Sequence, residues 1–111
     1  MGNDRPLEID QRVEGDAARL TLRGELDIAT VPRLESAVAS ALGSAPEELT
    51  IDLRELSFVD SSGLRQFIVL ASRAESEGWR LALVRPRPPT LSVFQITRAE
   101  ENLPFVDEPA P

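Results

Sequence analysis

The chain has 111 residues, a formal net charge of −7 and an apolar fraction of 41%, which suits one compact domain that folds without covalent staples. It contains no cysteine and no histidine, and every basic residue is an arginine. This excludes disulfides, thiolate and imidazole metal sites, a cysteine nucleophile, a histidine base, and a Schiff-base or phosphate-loop lysine.

The acidic balance disfavours nucleic acid and anionic lipid, which are held mainly through positive charge, and favours a protein partner with a basic face. The first residues, Met1 to Pro6, are polar and lack a signal-peptide core. No apolar run approaches the ~20 residues of a membrane span, so a cytoplasmic protein without membrane insertion is expected. Arginine in place of lysine, with abundant alanine and proline, is the usage of a high-GC bacterial genome.

Leu7, Ile9 and Val13 fall at even spacing and predict a first strand, and Glu14-Gly15-Asp16 a turn. Ala18, Leu20 and Leu22 alternate with Arg19, Thr21 and Arg23 in a second strand, close enough to the first for an antiparallel hairpin. Leu34, Ala37, Val38, Ala41 and Leu42 form one stripe of an amphipathic helix. Thr30 is placed to cap it, Pro32 suits its first turn and Gly43 its end. Leu49, Ile51 and Leu53 alternate in a third strand. Leu64, Phe67, Ile68, Ala71 and Ala74 mark a second helix ending near Gly78. Leu81-Ala82-Leu83-Val84 reads as a strand buried on both faces and stopped by Pro86, Pro88 and Pro89. Leu91, Val93, Phe94 and Ile96 suggest a short third helix, and Pro104-Phe105-Val106 an edge strand.

Helices alternating with strands predict parallel pairing through right-handed crossovers. The expected architecture is a single α/β domain over 1–111. Its mixed four- to five-stranded sheet has an N-terminal antiparallel hairpin and amphipathic helices packed against it. The core spans about 7–107, and 1–5 and 108–111 are loose ends.

The segment Phe58-Val59-Asp60-Ser61-Ser62-Gly63-Leu64 lies between the third strand and the second helix. In open α/β sheets, sites gather beyond strand C-terminal ends, where a helix N-terminus offers backbone N–H groups and partial positive charge. A phosphate on Ser61 would be accommodated there. The plainer reading is an N-cap, although Ser61 and Ser62 are followed three residues later by Leu64 and Arg65, so no capping box is present. Gly63 and the small polar residues leave a low, exposed tip, which suits a partner or a simple turn.

Asp60-Ser61-Ser62-Gly63-Leu64 after a strand resembles the signature of STAS domains that act as anti-sigma factor antagonists. Gly24-Glu25-Leu26-Asp27 resembles that family's turn after its second strand, and the order of elements is similar over about residues 7–107. The resemblance implies that Ser61 accepts phosphate from an anti-sigma factor with serine kinase activity. Asp60 then orients the hydroxyl or contacts the partner, and Ser62 caps the helix or supports the loop. It places Gly63, Leu64, Glu25 and Asp27 with them on the docking face. The unmodified protein binds the anti-sigma factor and frees a sigma factor; phosphorylation releases it, and a protein phosphatase resets it. Arg65 departs from the small residue common at its position. It can pair with a phosphate or an acidic partner group, or stay solvated.

No metal, cofactor or catalytic residue is expected. Glu25 and Asp27 lack a third ligand, and Ser61 and Ser62 have no histidine or lysine base and no Gly-x-Ser-x-Gly elbow. Trp79 reads as partial core cover, Glu100 and Glu101 as a solvated loop, and Arg85 and Arg87 as a surface loop. The rival reading within the family is an interaction module in a stressosome-like scaffold or a lipid-transport ABC complex. The acidic surface offers no clear apolar patch to count, which leaves the oligomeric state open between a monomer and a weak dimer.

Overall fold

The computed structural model describes residues 6–108. One sheet runs in the order β1 (Glu8–Glu14), β2 (Ala17–Leu26), β3 (Glu48–Val59), β4 (Arg80–Val84), β5 (Phe105–Val106). The β1–β2 pair is antiparallel and the three remaining pairs are parallel. Each parallel connection passes through a helix: α1 (Val31–Leu42), α2 (Ser61–Glu77) and α3 (Thr90–Ile96), the last followed by a 3-10 turn at Ala99–Asn102. This is the mixed sheet with an opening hairpin that the alternating periods predict.

The hairpin turns at Gly15, whose φ of +60° suits a residue without a side chain. From there Ala18, Leu20 and Leu22 of β2 and Leu49, Ile51 and Leu53 of β3 point to one face. Leu34, Val38 and Ala41 of α1 and Leu64, Phe67, Leu70 and Ala74 of α2 close over it. Phe94 of α3 is fully buried, 6.1 Å from the Phe67 ring and edge-on to Phe105 at 5.3 Å.

Two expectations, for Ile68 and Thr30, are corrected at the residue level. Ile68 is 51% exposed; the inward stripe of α2 runs through Leu64, Phe67, Leu70 and Ala74, and Ile68 falls on its outer flank. Val13 and Ile96 are exposed as well, at the far end of the hairpin and the end of a two-turn helix. Thr30 occupies the cap position of α1 without capping it. Its backbone is already helical (φ −102°, ψ −12°), and its hydroxyl turns back to donate to Glu25 O and accept from the Asp27 N–H, both at 2.9 Å.

β3 is longer than its visible alternation because it carries two bulges. Its register with β2 steps from Thr21↔Asp52 to Arg23↔Glu55, and from Gly24↔Leu56 to Glu25↔Phe58. On the face away from Leu20 and Ile51, Asp52 is only 6% exposed. Its Oδ2 accepts from Arg19 and Arg54 at 2.8 Å each, and its Oδ1 from the Arg54 N–H at 3.0 Å. Burial alone would push this carboxyl up, but the hydrogen bonds from Arg54 and Arg19 outweigh it and hold the pKa down at about 2.

Glu108, expected in a loose end, is anchored. Its two oxygens accept from Arg19 at 2.8 and 3.1 Å, and Arg54 lies 3.5 Å away. Asp107 accepts from Arg85 at 3.0 Å, and Arg85 also pairs with Glu100. The remainder of the expected loose ends, 1–5 and 109–111, lies outside the described residues.

Candidate functional site at the tip of α2

Asp60 leaves β3 with an extended backbone (φ −106°, ψ −174°) and caps α2. One carboxylate oxygen accepts from the N–H groups of Ser62 at 2.9 Å and Gly63 at 3.1 Å. The other accepts from the Ile28 N–H at 3.2 Å. Its own N–H donates to Leu26 O at 3.2 Å, and its carbonyl accepts from the Leu64 N–H at 3.0 Å. A single residue therefore closes the helix start and ties it to the turn after β2. The cap role assigned to Ser62 belongs to Asp60, because only the carboxylate lies ahead of the first free donors.

Ser61 is the first residue of α2 and is exposed. Its hydroxyl makes no hydrogen bond among the described residues. Ser62 is half-buried, with its N–H committed to Asp60. Gly63 is buried: a Cβ there would lie 2.7 Å from Val59 Cγ2 and 2.9 Å from Leu26 Cδ2. Leu64 is 9% exposed and belongs to the core. Gly63 and Leu64 thus shape the tip from inside. Arg65 is exposed and enters no ion pair among the described residues.

The turn at the end of β2 stands beside this tip. Glu25 is half-buried and lies across from Phe58 in the strand register. Asp27 organises the turn, its Oδ1 accepting from the Ala29 and Thr30 N–H groups at 3.0 Å each. Gly24 opens it with φ +107°, and a Cβ there would meet Pro6 O at 2.4 Å, so only glycine fits. The structure thus joins Asp60 to the 27–28 turn directly, while the carboxylate of Glu25 has no hydrogen-bond partner among the described residues.

Two exposed apolar side chains beside the tip have no role assigned from the sequence: Ile28, 75% exposed on the turn that Asp60 holds, and Phe58, 45% exposed near the end of β3. The available signal for Ile28 was an isolated apolar residue within a polar turn. Elsewhere, Trp79 donates to Glu77 at 2.9 Å and packs against the core edge. Among the described residues no group of three or more acidic side chains is placed to hold a metal ion, and no helix is long and apolar enough to cross a membrane.

The family described as "Mlab, STAS domain" matches residues 9–106. Over 61 residues the chain is 36% identical to the anti-sigma-F factor antagonist RsfB of Mycobacterium tuberculosis, covering 55% of this chain and 48% of that protein. The curated relatives are matched over about half to two thirds of their own length. An anti-sigma factor antagonist from Mycobacterium paratuberculosis shares the fold at 24% identity with a TM-score of 0.75, over 92% of this chain and 86% of that one. So does the Bacillus cell fate determinant SpoIIAA in its phosphorylated form, at 24% identity and a TM-score of 0.68, over 93% and 91%.

Proposed function

We propose that this chain, which belongs to the STAS domain family, is an anti-sigma factor antagonist switched by phosphorylation of Ser61. Unmodified, it binds a kinase-type anti-sigma factor in the cytoplasm and frees a sigma factor. The Ser61 oxygen attacks the terminal phosphorus of ATP held by that partner, the bond to ADP breaks, and the hydroxyl proton passes to a base of the kinase. A protein phosphatase returns the hydroxyl. The chain supplies the acceptor and the docking face, and no catalytic group.

One observation carries this reading: Ser61 stands exposed, its hydroxyl without a hydrogen bond among the described residues, on a tip that Asp60 ties both to α2 and to the 27–28 turn. The relatives named as anti-sigma factor antagonists support it, as does the existence of SpoIIAA in a phosphorylated form. Asp60, Ser62, Glu25, Asp27 and Arg65 then belong to the docking face, with Gly63 and Leu64 setting its contour. Phosphate brings about −1.5 to −2 charge to that face, and in a desolvated contact like charges cost several kcal/mol.

The test is titration of the purified chain against the kinase-type anti-sigma factor of its source organism. Ser61→Asp is expected to weaken binding at least tenfold, about 1.4 kcal/mol, while Ser61→Ala binds as tightly as the native chain. Equal affinity of the aspartate variant would overturn the proposal. The match to the Mlab, STAS domain description favours a second reading, an interaction module of a stressosome-like scaffold or lipid-transport ABC complex. Binding to a transporter ATPase in place of the anti-sigma factor would establish it.

A further inference from the structure

We infer that a phosphate on Ser61 is paired within the chain by Arg65, so that modification withdraws a cation from the docking face as it adds an anion. The inference rests on the reading of Ser61 as the modified residue and concerns how the modification acts.

Ser61 opens α2 and Arg65 follows four residues later, so the two lie one above the other on the same face of the helix. Both are exposed. The order is the favourable one, with the anion nearer the helix N-terminus and the cation nearer the C-terminus.

Beyond the N–H of Ser61 itself, the backbone donors of the first turn are taken. The Ser62 and Gly63 N–H groups are bonded to the Asp60 carboxylate, and the Leu64 N–H to the Asp60 carbonyl. The free donors expected of a helix start are thus absent from positions 62 to 64. The charged side chains around the tip on the neighbouring segments, Asp60, Glu25 and Asp27, are acidic and raise the need for a cation.

Most other cations are committed. Arg19, Arg23, Arg54, Arg73 and Arg85 each hold a carboxylate at hydrogen-bonding distance. Arg80 and Arg98 have looser pairs at 3.8 and 3.7 Å. Arg12 on β1, Arg33 on α1 and Arg87 after β4 are, with Arg65, outside any ion pair among the described residues, but they stand on other elements. Arg65 alone shares the helix face of Ser61. In the unmodified protein the same guanidinium is free for a carboxylate of the partner, and capture by the phosphate would remove that contact.

The test uses the isolated full chain with phosphoserine installed at position 61 during translation, followed by phosphorus NMR as the pH is varied. The second ionisation of the phosphate is expected to lie about 0.2–0.4 unit lower in the native background than with Arg65→Gln, the size of an i,i+4 ion pair. The difference fades in ~1 M salt. Arg65→Lys retains the lowered value and Arg33→Gln leaves it unchanged. Identical titrations with and without Arg65, or a change that follows Arg33, would overturn the inference. Because neither kinase nor partner is present, that failure is separate from a failure of Ser61→Asp to weaken partner binding.

Discussion

Gly63 shows how tightly the tip of α2 is seated. The contacts a methyl group would make, 2.7 Å to Val59 and 2.9 Å to Leu26, involve side chains already packed in the core. Gly63→Ala is expected to cost about 1–3 kcal/mol through overpacking, read as a lower urea midpoint at unchanged slope. Ser61→Ala, which removes only an exposed hydroxyl, should stay within about 0.5 kcal/mol of native. The run from Asp60 to Leu64 was conspicuous in the sequence because small residues interrupt the apolar period there. The division of labour inside it was not. Asp60 and Ser62 are both plausible caps in one dimension, and the Ile28 N–H that fixes Asp60 lies 32 residues away in the chain.

At the level of elements, period and exposure diverge where a helix is only partly covered. The stripe read in α2 took in Ile68 and passed over Leu70, and the neighbouring α1 and sheet decide for Leu70. The bulges of β3 break its alternation after Leu53 and hid the second half of the strand. One consequence is measurable. The folded Asp52 carboxyl is held at about 2, against an ordinary value of 3.8. The lowered value contributes stability above pH 3.8 that is lost as the pH falls toward 2. Asp52→Asn is therefore expected to cost about 2 kcal/mol near neutrality, and the gap to native should close between about pH 4 and 2 in urea titrations. A gap independent of pH would assign the loss to packing instead.

Across the whole molecule, the chain order of the strands is also their spatial order, which is why alternating periods were enough to read the sheet. Contacts that close the molecule end to end left no comparable trace. Glu108, beyond the edge strand β5, reaches Arg19 on β2 and approaches Arg54 on β3; in sequence it is one acid near a proline-rich end. Its removal in Glu108→Ala is expected to lower stability by about 0.5–1 kcal/mol, and by less in high salt, as befits a partly exposed pair. Thermal melts at low and high salt measure this directly.

The double grip of Asp60 also bears on how such a switch can be altered or transplanted. Residues 25–28 and 60–65 are distant in the chain yet share one fastening, so neither can be re-angled alone. Chimeras that exchange only one of the two stretches inherit a mismatched joint, whereas exchanging both together carries the recognition surface across intact.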